Sequence, residues 1–198
     1  MDERVPAFAL LLKAGDFSAR KHADQRRKGP EQVPYVNHPL RVARYLAEIA
    51  GVEDVSILCA ALLHDTIEDT DTSEEELRRE FGDTITDLVL EVTDDKSLPK
   101  EERKRRQIVH APEVSVGATQ IKVADKLSNI EDVSEAPPAG WTLQRRMEYL
   151  DWTERVVNGL TDLNPALEQR YRETLARARE RARARERLSG RSDGDSGA

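Results

Sequence analysis

Four ionisable side chains crowd into six residues of the stretch ALLHDTIEDTD (61–71): His64, Asp65, Glu68 and Asp69. On a helix, His64 and Glu68 stand at i and i+4, as do Asp65 and Asp69, so both pairs project from one side. Carboxylates packed this tightly raise one another's pKa unless a cation compensates, and a bound metal is such a cation. An exposed acidic helix end also explains a bare His-Asp pair. It fits less well here, because Ala60 to Leu63, immediately upstream, read as fully buried.

Two other places supply similar chemistry. PYVNHPLRVARYL puts His38 directly before Pro39 at a helix N-terminus, where the proline fixes the backbone of a candidate ligand; the alternative is an ordinary cap or surface histidine. QIKVADKLSNI puts Asp125 on an otherwise apolar helix face, although a mid-helix aspartate is unfavourable and is rarely buried unpaired. An ion pair with Lys122 or with Arg105/Arg106 is the simpler account of that residue. Together His38, His64, Asp65 and Asp125 offer two imidazoles and two carboxylates. Such a mixed set suits an octahedral metal such as Mn²⁺, with two positions left for water and substrate. No thiolate accompanies them, which argues against a closed structural zinc site.

The elements that must position these residues are helical. Pro6 can start a helix carrying Phe8, Leu11, Leu12, Ala19 and Ala23 inward. RRKGPEQVPY (26–35) is a loop. Pro39 opens a second helix through Val42, Ala43, Leu46, Ile49 and Ala50, stopped by Gly51, and Val55, Leu58, Cys59, Leu62 and Leu63 form a third. Ser73 with Glu76 is a capping box for a helix ending at Phe81–Gly82, after which Ile85, Leu88, Val89 and Val92 mark another. A short charged helix runs from about Pro99 to Pro112. Ile121, Ala124, Leu127 and Ser128 share one stripe, Met147 to Leu160 another, and Leu167, Tyr171 and Leu175 a last one. No segment alternates as a strand does, so the expected fold is an all-α bundle. The expected domain is 1–176, followed by 177–198 as a solvated Arg-rich helix extension and a disordered Ser/Gly/Asp tail.

Composition narrows the function class. In 198 residues, 35% are charged and the formal net charge is −7. That argues against general nucleic-acid binding, which normally shows a basic field. No apolar run reaches the roughly 20 residues a membrane helix needs, and the N-terminus carries no signal-peptide pattern. The lone cysteine, Cys59, is a core residue by its spacing, and a reducing, cytoplasmic setting follows as the default. Oligomeric state is not legible.

At this point QRRKGPEQVPYVNHP, AALLHDTIEDTDT, FGDTITDLVLEVTDDKSLPK, KVADKLSNI and GW occur in an order and spacing that resemble a known family. The chain resembles the HD-domain metal-dependent phosphohydrolases over roughly residues 5 to 175. Within them it looks like the small alarmone hydrolases, relatives of the hydrolase domain of bacterial RelA/SpoT enzymes and of the metazoan SpoT homologue. The resemblance implies an HD-domain helical bundle without the synthetase domain of the long RelA/SpoT proteins. It implies hydrolysis of guanosine 3′,5′-bis(diphosphate), (p)ppGpp, to GDP or GTP plus pyrophosphate. It assigns the metal to His38, His64, Asp65 and Asp125 and places Glu68 and Asp69 at the family's catalytic acidic pair. Arg27 and Lys28 match family nucleotide contacts, and Tyr35, Lys100, Asn129 and Arg145 are further candidates for the substrate. One departure is Glu131, where relatives carry a basic residue, a reversed charge expected close to the pocket. Two alternatives stand beside this function: a phosphatase on another phosphorylated nucleotide such as NADPH, and a non-catalytic nucleotide-binding module.

Overall fold

A computed structural model describes residues 6–192, with side chains described through Arg187. The described residues form nine α-helices: α1 (Ala7–Lys21), α2 (Asn37–Glu48), α3 (Val55–Leu63), α4 (Thr66–Asp69), α5 (Glu74–Val92), α6 (Lys100–Val109), α7 (Val116–Glu135), α8 (Leu143–Gly159) and α9 (Pro165–Ser192). A 3-10 turn, Ala111–Glu113, joins α6 to α7. There is no strand among the described residues; Arg26 and Pro34 form an isolated antiparallel bridge that pins the loop between α1 and α2.

The centre of the bundle is α3 against α7. In α3, Cys59, Ala60, Ala61 and Leu63 are inaccessible to solvent, and the helix packs on α1, α2, α5 and α7. A helix apolar on every side has to be surrounded. Burial holds the Cys59 thiol up at about 11, so it is a core residue and no nucleophile. α7 brings Ile121, Ala124, Leu127 and Ile130 to the same core. Each large aliphatic side chain buried there contributes on the order of 1.5–3 kcal/mol.

Polar residues fix where the helices begin. Asp54 accepts from Ser56 N at 2.8 Å, Ser73 from Glu76 N at 3.1 Å and Thr142 from Arg145 N at 3.2 Å. Only half of the expected capping box forms, because the Glu76 carboxylate turns to Lys21 at 2.9 Å. The two helices expected on either side of Gly82 are joined in α5 by a kink. Gly82 takes φ 78° and ψ 176° there, a conformation open essentially to glycine alone.

Three expectations change. α3 and the motif after it are not one helix: α3 ends at Leu63, His64 and Asp65 form a turn with near-helical backbone angles, and α4 is a separate single turn. In α1 the buried residues are Ala14, Phe17 and Ser18, while Phe8 and Leu12 are 68% and 71% exposed. The division expected after residue 176 does not coincide with a change in packing. Ala178 and Ala182 are buried, Arg179 lies 2.6 Å from Asp151 and 2.7 Å from Glu154, and Arg181 lies 3.3 Å from Glu135. Alanines need no wide apolar stripe to dock closely, so the pattern of large residues understated this contact. The expected disordered tail lies largely outside the described residues.

Candidate metal centre and nucleotide cavity

The two imidazoles come from different elements and meet with ring centroids 5.1 Å apart. His38 enters from the first turn of α2 and His64 from the turn that ends α3. Asp65 follows on that turn, and Asp125 projects from the middle of α7. His38 Nε2 lies 3.5 Å from Asp65 Oδ2 and 3.1 Å from Asp125 Oδ1; His64 Nε2 lies 3.0 Å and 3.9 Å from the same two atoms. His38, His64 and Asp65 can each offer a ligand atom within 4.8 Å of the others. Asp125 completes the set by its contacts with both imidazoles.

Each group is held from behind. His64 Nδ1 donates to Ala61 O at 2.8 Å, which leaves Nε2 to face the carboxylates. His38 Nδ1 is 3.0 Å from Ser128 Oγ. Tyr35 donates its hydroxyl to Asp65 Oδ2 at 2.6 Å, and Asn129 Nδ2 donates to Asp125 Oδ1 at 2.6 Å. Asp125 also accepts from Lys126 at 2.9 Å. Asp125, half-buried, is thus paired with Lys126, not with Lys122, while Arg105 and Arg106 bond to Glu102 at the surface.

The electrostatics call for a cation. Burial disfavours charge on both imidazoles, and it wins at His38, which is lowered. At His64 the nearby Asp65 and Asp125 overcome burial and hold the ring up at about 9. Burial also opposes charge on Asp65 and Asp125, yet His64 and Lys126 respectively, with His38, hold both carboxyls below their usual range. His64 Nε2 is buried and makes no well-aligned hydrogen bond. An orphaned, strongly basic nitrogen between two ionised carboxylates fits a divalent metal, which competes with the proton for that position.

Glu68 stands at the edge of the cluster. Burial, with Asp94 and Asp65 adding to it, pushes its carboxyl up to about 7. Its oxygens accept from Asp94 N at 3.2 Å and lie 3.3 Å from Arg103 Nη1. Asp69 accepts from Gln25 Nε2 at 3.1 Å and from Lys96.

The model of the HD domain matches residues 14–150. The chain is 53% identical over 161 residues to the human guanosine-3′,5′-bis(diphosphate) 3′-pyrophosphohydrolase MESH1, a match covering 81% of this chain and 90% of that one. It belongs to the HD-domain family. The Drosophila melanogaster MESH1 is 47% identical over 160 residues, covering 81% of this chain and 89% of its own length. A solved structure of a metazoan ortholog of SpoT, described as hydrolysing ppGpp, superposes with a TM-score of 0.83 at 45% identity; it covers 85% of this chain and 94% of its own.

In this HD domain the His/Asp cluster, Glu68 and Asp69 border a small cavity of about 160 Å³. It shares Tyr35, Glu68, Asp69, Asp94, Gln107, Lys126 and Asn129 with an adjoining cavity of about 760 Å³. All six residues expected at the substrate line the larger cavity: Arg27, Lys28, Tyr35, Lys100, Asn129 and Arg145. Their roles divide. Tyr35 and Asn129 are committed to Asp65 and Asp125. Arg27 is fixed by Asp132 and Asn129, both at 2.7 Å, with its guanidinium 5.3 Å from the Tyr35 ring centroid. Lys100 is lowered by burial and by Lys104 and Arg145 nearby, the mark of a crowded cationic wall.

Some residues of the HD-domain site escaped the sequence. Arg103 and Lys104 come from α6, and Tyr149 and Trp152 from α8; Trp141, in the loop before α8, was noted only as part of the motif GW and without a role. Arg145, Tyr149 and Trp152 stand at i, i+4 and i+7, a spacing that could have revealed one face of α8. The Arg145 guanidinium sits 4.7 Å from the Trp141 ring centroid and Lys126 Nζ 4.9 Å from that of Trp152. Glu131 is the converse case. It lines neither cavity and accepts from the Tyr45 hydroxyl, so the reversed charge is not in the pocket.

Proposed function

We propose that this chain is a guanosine-3′,5′-bis(diphosphate) 3′-pyrophosphohydrolase that works with Mn²⁺ held by His38, His64, Asp65 and Asp125. The single observation that carries the reading is the join between the two cavities. A carboxylate poised near 7 stands beside a His/Asp cluster, at the mouth of a larger space lined by lysines, arginines and aromatic rings. No helix among the described residues is long and apolar enough to cross a membrane; a small anionic nucleotide met in the cytoplasm is the partner we propose.

The chemistry a divalent cation supplies at such a donor set is Lewis acidity toward water and phosphoryl oxygen. The chain's own residues do the rest. Glu68 takes a proton from the attacking water, and a carboxyl near 7 is matched to that task at neutral pH. Asp69, steadied by Gln25 and Lys96, orients the water. Attack at the 3′ phosphorus breaks the bond to the 3′ oxygen, which leaves protonated on GDP or GTP, and the two phosphates depart as pyrophosphate. Lys28, Lys100 and Arg145 hold phosphate charge. Trp141, Tyr149 and Trp152 give the base an aromatic surface.

Mn²⁺-loaded protein incubated with guanosine 3′,5′-bis(diphosphate) is expected to yield GDP and pyrophosphate in equal amounts. Release of orthophosphate from NADPH, with the guanosine compound untouched, would replace this substrate by the other nucleotide. Turnover of neither would remove the enzymatic reading.

A further inference from the structure

Lys122 is the side chain around the metal centre that nothing above employs. It rises from α7 one turn before Asp125 and lines the small cavity with His38, His64, Asp65, Glu68 and Asp125. It makes no hydrogen bond or ion pair among the described residues. Lys126, one turn further along the same helix, is fully buried and bonded to Asp125 at 2.9 Å, so charge balance at that aspartate is already provided. Lys122 is half-buried on that cavity wall without a hydrogen bond or ion pair among the described residues, and a charge partly removed from water is costly unless something arriving from outside accepts it. A divalent cation in the same cavity adds positive charge, so the arriving species must be an anion.

We propose that Lys122 is a further catalytic residue, whose ammonium binds a non-bridging oxygen of the phosphoryl group undergoing attack. No bond to Lys122 forms or breaks; it acts on negative charge that builds on that oxygen in the transition state, where a preorganised donor has its largest effect. The inference rests on the phosphohydrolase reading for its substrate, but not for the ligand class, which is a phosphoryl oxygen beside the metal.

Burial, with Lys126 adding to it, holds the Lys122 ammonium down at about 8 against the pull of Asp94, Asp125 and Glu68. These are the charged groups that face it: Lys126 and Asp125 from α7, Glu68 from α4 and Asp94 from the segment after α5.

The test compares wild type with Lys122→Met and Lys122→Arg, each loaded with Mn²⁺ and checked for metal content and melting temperature. Binding of inorganic pyrophosphate is read by calorimetry, so the result does not depend on turnover. We expect Lys122→Met to keep its metal and melting temperature while pyrophosphate affinity falls about 10- to 100-fold, the range for losing one charge-assisted hydrogen bond. Lys122→Arg should recover part of the loss, and kcat should fall more than KM rises in the Met variant. Equal pyrophosphate affinity in Met variant and wild type overturns the proposal. So does loss of metal or of the fold in both variants, which would make Lys122 structural. If wild type binds pyrophosphate through Lys122 yet leaves guanosine 3′,5′-bis(diphosphate) intact, the substrate reading fails and this one stands.

Discussion

At the His/Asp end of the double cavity each of the four candidate ligands is already held from behind. His64 is tied to Ala61 O, His38 lies against Ser128, Asp65 accepts from Tyr35, and Asp125 accepts from Asn129 and Lys126. At the nucleotide end, Lys28 and Lys100 have no hydrogen bond or ion pair among the described residues, and the Arg145 guanidinium only faces the Trp141 ring. One end is preorganised and the other is available. Geometry that must be right before substrate arrives is paid in advance by fixed hydrogen bonds; recognition of a flexible, highly charged ligand is left to long side chains that can adjust.

The sharpest way to break this contrast is at its rigid end. Asp65→Ala removes one ligand and strands the Tyr35 hydroxyl; turnover should fall to background and bound metal, measured after dialysis, should be lost. Glu68→Gln comes next. It should keep the metal and lower kcat by about 10²- to 10⁴-fold, the usual contribution of a general base. The pH profile gives the sign. The folded-state pKa of Glu68 is raised from 4.5 to about 7, so the active carboxylate form is gained as pH rises through that range and lost below it. A bound cation favours the ionised form and draws the midpoint lower. The Gln variant should lack this acid limb, and its persistence would assign the limb to another group.

Tyr35→Phe tests the hold on Asp65 without touching the ligand itself. Loss of an outer partner of this kind typically costs about 10- to 100-fold in metal affinity, measured by competition with a chelator. Lys100→Ala, at the available end, should act on KM by about tenfold, with the penalty shrinking at high salt where charge attraction is screened. The smallest effect is expected from Glu131→Gln. Its carboxylate faces Tyr45 outside both cavities, so kcat/KM should change by less than about twofold; a larger change would bring the α2–α7 contact into substrate selection.

The rigid end was the more legible in the sequence. His64 and Asp65 end an apolar run, Asp125 interrupts another, and Pro39 marks His38; each is a local departure from its surroundings, and the fold brings all four together. The available end was legible in its cations and little else. Whether Trp152 and Arg103 reach the same space depends on how α8 crosses α6, which no period in either segment encodes. The inward face of α1 failed for the same reason. Phe8 with Leu12 and Ala14 with Phe17 are both plausible stripes, and the position of α3 decides between them. Lys126 as partner of Asp125 was missed because adjacent helical residues do not face each other by spacing; a long lysine stem bends back to do it.

The order in which the chain is made bears on when it can act. All four proposed metal ligands have been synthesised by residue 125, but α7, which carries one of them, packs along α9, whose buried contacts run to Ala182. A nascent chain therefore holds its ligands long before it holds the surface that seats them, and competence comes late in translation.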